Sequence, residues 1–267
     1  MAAPDTRSAY PQQLARKPLV EVIFELRWKL EAVADPTGGR DPGFKILLGR
    51  FFDRVRATYP AVIDLPATQI PEEMVPNVVR HQFRPDPNAW PLLQLGPGIL
   101  TTNETTAYSW AAFKPKLVDA ISALFASYPG DLHPFEPNQV VLRYLNAIPL
   151  DPKRTPTLRF LREQLHTEIA IAPSLAQTVH DLDQPWGMNL SLTLPMKTPK
   201  GACGLSFSTG RAGDKPALIW QLEAQARGGD VPRDEASLGQ WLEDAHAVVE
   251  RWFFTLSEGQ LLDSFKG

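Results

Sequence analysis

Val20-Glu21-Val22-Ile23-Phe24-Glu25-Leu26-Arg27-Trp28 and Val140-Val141-Leu142-Arg143-Tyr144-Leu145-Asn146-Ala147-Ile148 are the two stretches on which the fold turns. In the first, Val20, Val22, Phe24, Leu26 and Trp28 alternate with Glu21, Glu25 and Arg27. In the second, Val140, Leu142, Tyr144, Asn146 and Ile148 fall on one side. A side-chain period of two is the mark of a strand with one buried face. Both stretches therefore predict long strands, each with an arginine mid-strand on the face opposite the apolar one.

Similar elements follow each strand. After the first comes a Pro/Gly-rich turn (Asp35 to Gly43) and a helix with Phe44, Leu47, Leu48, Phe51 and Val55 on one stripe, ended by Tyr59-Pro60. Short strands are expected at Val78–Phe83, Trp90–Leu95 and Ile99–Asn103, the last two joined as a hairpin through Gly96-Pro97-Gly98. A helix from about Ser109 to Tyr128 carries Trp110, Phe113, Leu117, Ile121 and Leu124. After the second strand, Thr155-Pro156 opens a short helix bearing Leu158, Leu161 and Leu165. The run Trp186, Met188, Leu190, Leu192, Leu194 and Met196 reads as the longest alternating strand, and two more strands complete a meander. The last helix is expected to start at Ser237, with Gln240 completing a capping box, and Ser257 with Gln260 repeats the pattern for a final turn.

The expected class is thus α+β, a duplicated strand-helix-three strands-helix unit forming a curved, mainly antiparallel sheet with helices on one face. The layout is TATA-binding-protein-like or helix-grip-like in architecture alone. Residues 1–17 are an N-terminal arm, 18–130 the first half and 131–267 the second, in one compact unit.

With 267 residues, 43% of them hydrophobic, the chain can build a full core. A formal net charge of −3 supplies no global basic field for nucleic acid or anionic lipid. The single cysteine, Cys203, permits no disulfide framework and fits a reducing cytoplasm. Met1 to Arg16 has no apolar segment of signal-peptide type, and no stretch reaches the roughly 20 apolar residues of a membrane span.

Five histidines show no metal-ligand spacing, and His246, beside the last helix's apolar stripe, is more simply a satisfied boundary histidine than a ligand. His180-Asp181-Leu182-Asp183 is the one candidate for metal or acid–base chemistry, since an Asp-x-Asp pair can hold magnesium; a solvated loop is the plainer account. Gly204-Leu205-Ser206-Phe207-Ser208 lacks the final glycine and the strand-to-helix turn of a nucleophile elbow. Arg27 and Arg143 could together grip an anionic or planar ligand, or each could pair with carboxylates such as Glu21 or Glu25. Asn146 lies on an apolar face and needs a buried partner. Of seven tryptophans, Trp28, Trp110, Trp186, Trp220, Trp241 and Trp252 sit on apolar stripes and are expected in the core, whereas Trp90, among prolines, is expected partly exposed.

Lys17-Pro18-Leu19-Val20-Glu21-Val22-Ile23-Phe24, the segment from Trp90 to Asn103, Tyr108-Ser109-Trp110-Ala111-Ala112-Phe113 and Leu142 to Ile148 stand in an order and spacing similar to those of a sporadically distributed prokaryotic family of unknown function. Leu19 departs from it, standing where a second proline is expected. The resemblance implies no catalytic residues; the family's patchy distribution is that of accessory genes in mobile elements or defence loci. The expected function is a non-catalytic, cytoplasmic binding protein that engages a protein partner or small ligand, with no cofactor, through the exposed sheet face or the groove between halves. The candidate residues are Arg27, Arg143, Asn146 and Trp90. The alternative is a metal-dependent phosphodiesterase or nuclease using Asp181 and Asp183, with His180 nearby.

Overall fold

A computed structural model describes residues 14–34, 38–105, 107–152 and 154–267. The expected N-terminal arm therefore lies largely outside the described residues. Over the described residues the chain is an α+β protein with one nine-stranded, wholly antiparallel sheet and five α-helices.

The two stretches quoted at the outset become β1 (Leu19–Trp28) and β6 (Pro137–Pro149), paired side by side at the middle of the sheet. After β1 come α1 (Phe44–Val55), β2 (Ala61–Asp64), β3 (His81–Arg84), β4 (Leu92–Gly96), β5 (Ile99–Glu104) and α2 (Trp110–Ser127). After β6 come α3 (Thr157–Gln164), β7 (Asn189–Pro195), β8 (Ala202–Ala212), β9 (Lys215–Arg227), α4 (Glu235–Ser257) and α5 (Gln260–Lys266). The strand order is β2-β3-β4-β5-β1-β6-β9-β8-β7. The first meander thus has four strands, not three. β2 escapes sequence reading because four residues, Ala-Val-Ile-Asp, are too few to establish a period.

Strand parity decides burial. Val22, Phe24, Leu26 and Trp28 of β1 are fully buried, as are Val140 and Leu142 of β6 and Leu218, Leu222 and Ala224 of β9. They form one core with Leu47, Phe51, Leu117, Leu124, Leu161, Leu238 and Leu242 from the helices. The opposite parity presents Glu21, Glu25, Arg27, Arg143, Gln221 and Glu223, all half-buried. Fully burying an aliphatic or aromatic side chain contributes about 1.5–3 kcal/mol, so a one-residue slip of register would forfeit the core.

Several details are fixed locally. Pro97-Gly98 turns β4 into β5, with Gly98 at φ 74°, the left-handed conformation such a turn requires. Asp41, only 2% exposed, ties the turn before α1 to the sheet. Its carboxylate accepts from Trp28 Nε1 (2.9 Å), Tyr128 Oη (3.0 Å), Gly43 N (3.0 Å) and Gly98 N (3.3 Å). Burial, together with the Asp41 charge, pushes the Tyr128 phenol well up, so it remains a donor.

Two expectations need correction. The cap of α4 is Asp234, which accepts from Ser237 N at 2.9 Å and from Ser237 Oγ at 2.8 Å; Ser237 lies within the first turn, and Ser257 Oγ donates to Phe253 O instead of capping α5. Asp is as good a cap as Ser, and the earlier acceptor wins. Second, the alternating run from Trp186 is not the longest strand. β7 has seven residues against 13 for β6 and β9, and Trp186 is fully exposed rather than in the core. β7 is the sheet's edge, beyond the helices that bury its neighbours, so Leu192 and Leu194 are exposed too. Trp186→Ser is accordingly expected to leave the melting midpoint unchanged within about 0.5 kcal/mol; a larger loss in a thermal melt would show that Trp186 packs.

Candidate functional site

A cavity of about 600 Å³ opens on the helix side of the sheet, between the N-terminal turn of α2 and the middle of α4. Its floor is the start of β1 (Pro18, Leu19) with Tyr144 and Asn146 of β6 and Leu222 of β9. One wall thus comes from the first half of the chain and the other from the second.

The α2 wall begins at Ser109, whose Oγ accepts from Ala112 N at 3.4 Å and so fixes the first turn. Trp110 and Lys114 then project on the same side, one helical turn apart. Both engage Glu243 of α4: Trp110 Nε1 donates to Oε2 at 3.1 Å, and Lys114 Nζ pairs with Oε1. On α4, Glu243, His246 and Glu250 follow at spacings of three and four and share a face. The His246 imidazole stacks on the Trp110 indole, with centroids 4.2 Å apart and planes 18° from parallel.

A chain of hydrogen bonds backs this wall. Tyr108 Oη lies 2.7 Å from Tyr144 Oη, which lies 2.9 Å from His246 Nδ1; His246 Nε2 faces Glu250 Oε1 at 3.7 Å. With the imidazole proton on the Glu250 side, Nδ1 accepts from Tyr144, whose oxygen accepts from Tyr108. Burial pushes both phenols well up, that of Tyr144 reinforced by Tyr108. Groups so reluctant to ionise suit hydrogen bonding and positioning, not attack on a substrate.

Glu243 behaves in the opposite sense. Burial would raise its carboxyl, but the hydrogen bonds from Lys114 and Trp110 outweigh that and hold it below the usual carboxylate range. A carboxyl lowered on folding contributes stability above its unfolded titration range and loses it as pH falls through the folded one. Glu243→Gln is therefore expected to flatten the fall of melting temperature between about pH 5 and pH 3. An acid limb identical to that of the wild type would show that the pair adds nothing to folding.

Of the seven buried side-chain atoms without a hydrogen-bond partner among the described residues, the one that belongs to a residue lining the cavity is Asn146 Nδ2. The asparagine is 2% exposed and sits opposite Leu19 and Trp220 in the sheet. Trp220 Nε1 is likewise buried and unpartnered. An unsatisfied buried donor costs about 1–3 kcal/mol.

The other candidates lie elsewhere. Arg27 and Arg143 occupy the polar sheet face, each half-buried beside its own carboxylate: Arg27 Nε is 2.7 Å from Glu25 Oε1, out of line for a hydrogen bond, and Arg143 Nε donates to Glu223 Oε2 at 2.7 Å. Arg143 pairs in register with Ile23, four residues from Arg27, or about 13 Å along β1. Trp90, 38% exposed, stands before β4 with the Arg84 guanidinium 5.2 Å from its ring centre. His180 and Asp181 are exposed; Asp181 Oδ1 accepts from Asp183 N at 2.8 Å, which closes a turn. Among the described residues, no group of three or more His, Cys, Asp or Glu could hold a metal ion, and no helix is long and apolar enough to cross a membrane.

Sequence reading singled out Asn146, but not Tyr108, Trp110, Glu243 or His246 as members of one site. The available signal was the pairing of Trp110 with Lys114 and of Glu243 with His246 and Glu250 at helical spacing. No family model, curated protein or solved structure matches the chain.

Proposed function

We propose that this is a non-catalytic binding protein that takes a small ligand in the groove between its two halves. The observation that carries the reading is the buried, unpartnered Asn146 amide in the wall of a cavity of about 600 Å³. A cavity of this size with a few placed polar groups is what a small-molecule site needs. The polar sheet face is a weaker docking surface, because the arginines that would recognise a partner already have carboxylate neighbours.

We also read the two halves as an internal duplication with a TATA-binding-protein-like or helix-grip-like layout. The strand order supports it: β1 and β6 lie side by side, and a meander runs outward from each, β5-β4-β3-β2 on one flank and β9-β8-β7 on the other, the first flank one strand longer. On that reading the groove lies where the halves meet. The resemblance to a sporadic prokaryotic family supports a cytoplasmic accessory protein of a mobile-element or defence-type locus.

The test is a filled cavity. Wild-type protein purified from its native host, then denatured, is expected to release a bound organic molecule detectable by mass spectrometry. Ala247→Trp, which places an indole in the groove from α4, is expected to release none while keeping its circular dichroism spectrum. Equal release from both proteins, or release from neither, would overturn the reading.

A further inference from the structure

We propose that the groove's ligand is an uncharged, mainly apolar molecule that presents a carbonyl oxygen to the Asn146 amide. This rests on the groove reading and goes beyond it by naming the chemistry of the ligand.

Charge comes first. Every charged side chain on the cavity wall is already engaged within the protein. Lys17 Nζ donates to the Tyr108 carbonyl at 2.6 Å, Lys114 pairs with Glu243, and Glu250 faces His246. A cationic ligand would have to open the Lys114–Glu243 or His246–Glu250 contact and leave a half-buried charge behind, and an anionic one would have to draw Lys17, whose partner is a neutral carbonyl, away from Tyr108. Apart from Ser109, Asn146 and the aromatic donors, the rest of the wall is apolar, with Pro18, Leu19, Leu222, Val249, Phe253 and Phe254.

Hydrogen-bonding capacity narrows the choice. Tyr108 and Tyr144 spend their hydroxyls on the chain to His246, and the Trp110 indole is committed to Glu243. The deficit is therefore of acceptors: Asn146 Nδ2 has hydrogens and nothing to receive them. Asn146 lines the cavity, and the terminal torsion of an amide is broad and soft enough for Nδ2 to meet a ligand oxygen there. A ligand hydroxyl could also accept from Nδ2 but brings a donor of its own that needs a further partner, and a carboxylate would have to take Lys17 from the Tyr108 carbonyl. A ketone, ester, amide or lactone oxygen meets the need.

The test uses the full chain and two fluorescent probes: Prodan, a neutral naphthylamine carrying a propionyl group, and the same naphthylamine without it. Wild-type protein is expected to bind Prodan about tenfold more tightly than the carbonyl-free probe, the worth of one net hydrogen bond. Asn146→Leu, shown to be folded by its thermal melt, is expected to bind both with the weaker affinity. Ala247→Trp is expected to bind neither. Equal affinities in the wild type, a preference that survives in Asn146→Leu, or tighter binding of an anionic naphthalene sulfonate would overturn the carbonyl assignment while leaving the groove as a site. Failure of every probe to bind the wild type would overturn the groove reading, and this inference with it.

Discussion

Asp41→Ala is expected to lower the melting temperature by about 10 °C. The carboxylate is the single acceptor shared by an indole, a phenol and two backbone N–H groups, all brought together where the turn before α1 meets the sheet. Alanine leaves Trp28 Nε1 and the Tyr128 hydroxyl buried without a partner, at about 1–3 kcal/mol each. A total of about 3 kcal/mol translates into roughly 10 °C for a domain of this size. Asp41→Asn keeps one oxygen but aims an N–H at groups that are themselves donors, so it should recover only part of the loss. A thermal melt in which Asp41→Ala stays within 2–3 °C of the wild type, a loss below about 1 kcal/mol, would show that water replaces the carboxylate at this knot.

The second large effect has the opposite sign. Asn146→Leu is expected to raise stability by about 1–2 kcal/mol, because it exchanges an unsatisfied buried amide for an apolar group of similar size. In the same protein the affinity for a carbonyl-bearing probe is expected to fall about tenfold. A substitution that strengthens the fold while weakening binding is what a residue kept for its site should show. A purely structural asparagine would lose stability in the same thermal melt.

How much of this was legible in the sequence depends on the range of the interactions. Period-two alternation identified β1 and β6 because the code is local, and it set Arg27 and Arg143 on the polar face. The stripe from Phe44 to Val55 gave the start and the buried face of α1, which ends at Val55 and not at the expected Tyr59-Pro60, and Gly96-Pro97-Gly98 gave the β4–β5 hairpin. Asn146 could be flagged for the same reason, as a polar residue at an apolar parity. Trp186 was misjudged because the strand begins only at Asn189, so the alternation that runs back to it belongs to a loop and not to a buried strand face. The Asp41 knot was invisible because three of its four donors stand 13, 57 and 87 residues away, and nothing in a Pro/Gly-rich turn announces a buried acceptor. The groove was hidden for a similar cause. Trp110 and Lys114 meet Glu243 across 133 and 129 residues, so their conjunction exists only once α2 and α4 pack on the same side of the sheet. The pairing of Arg143 with Glu223 likewise depends on the β6–β9 register, which a sequence of strands leaves open.

The side-chain amide of Asn146 offers the most direct view of the groove. Its NH₂ resonances, assigned by their loss in Asn146→Leu, can be followed by ¹H–¹⁵N NMR while Prodan is added to the wild-type protein. A saturable downfield shift of those protons, absent in Ala247→Trp, is expected for a carbonyl accepting from Nδ2. An amide that stays still while resonances of Arg27 and Arg143 move would contradict binding in the groove and transfer the site to the open face of the sheet.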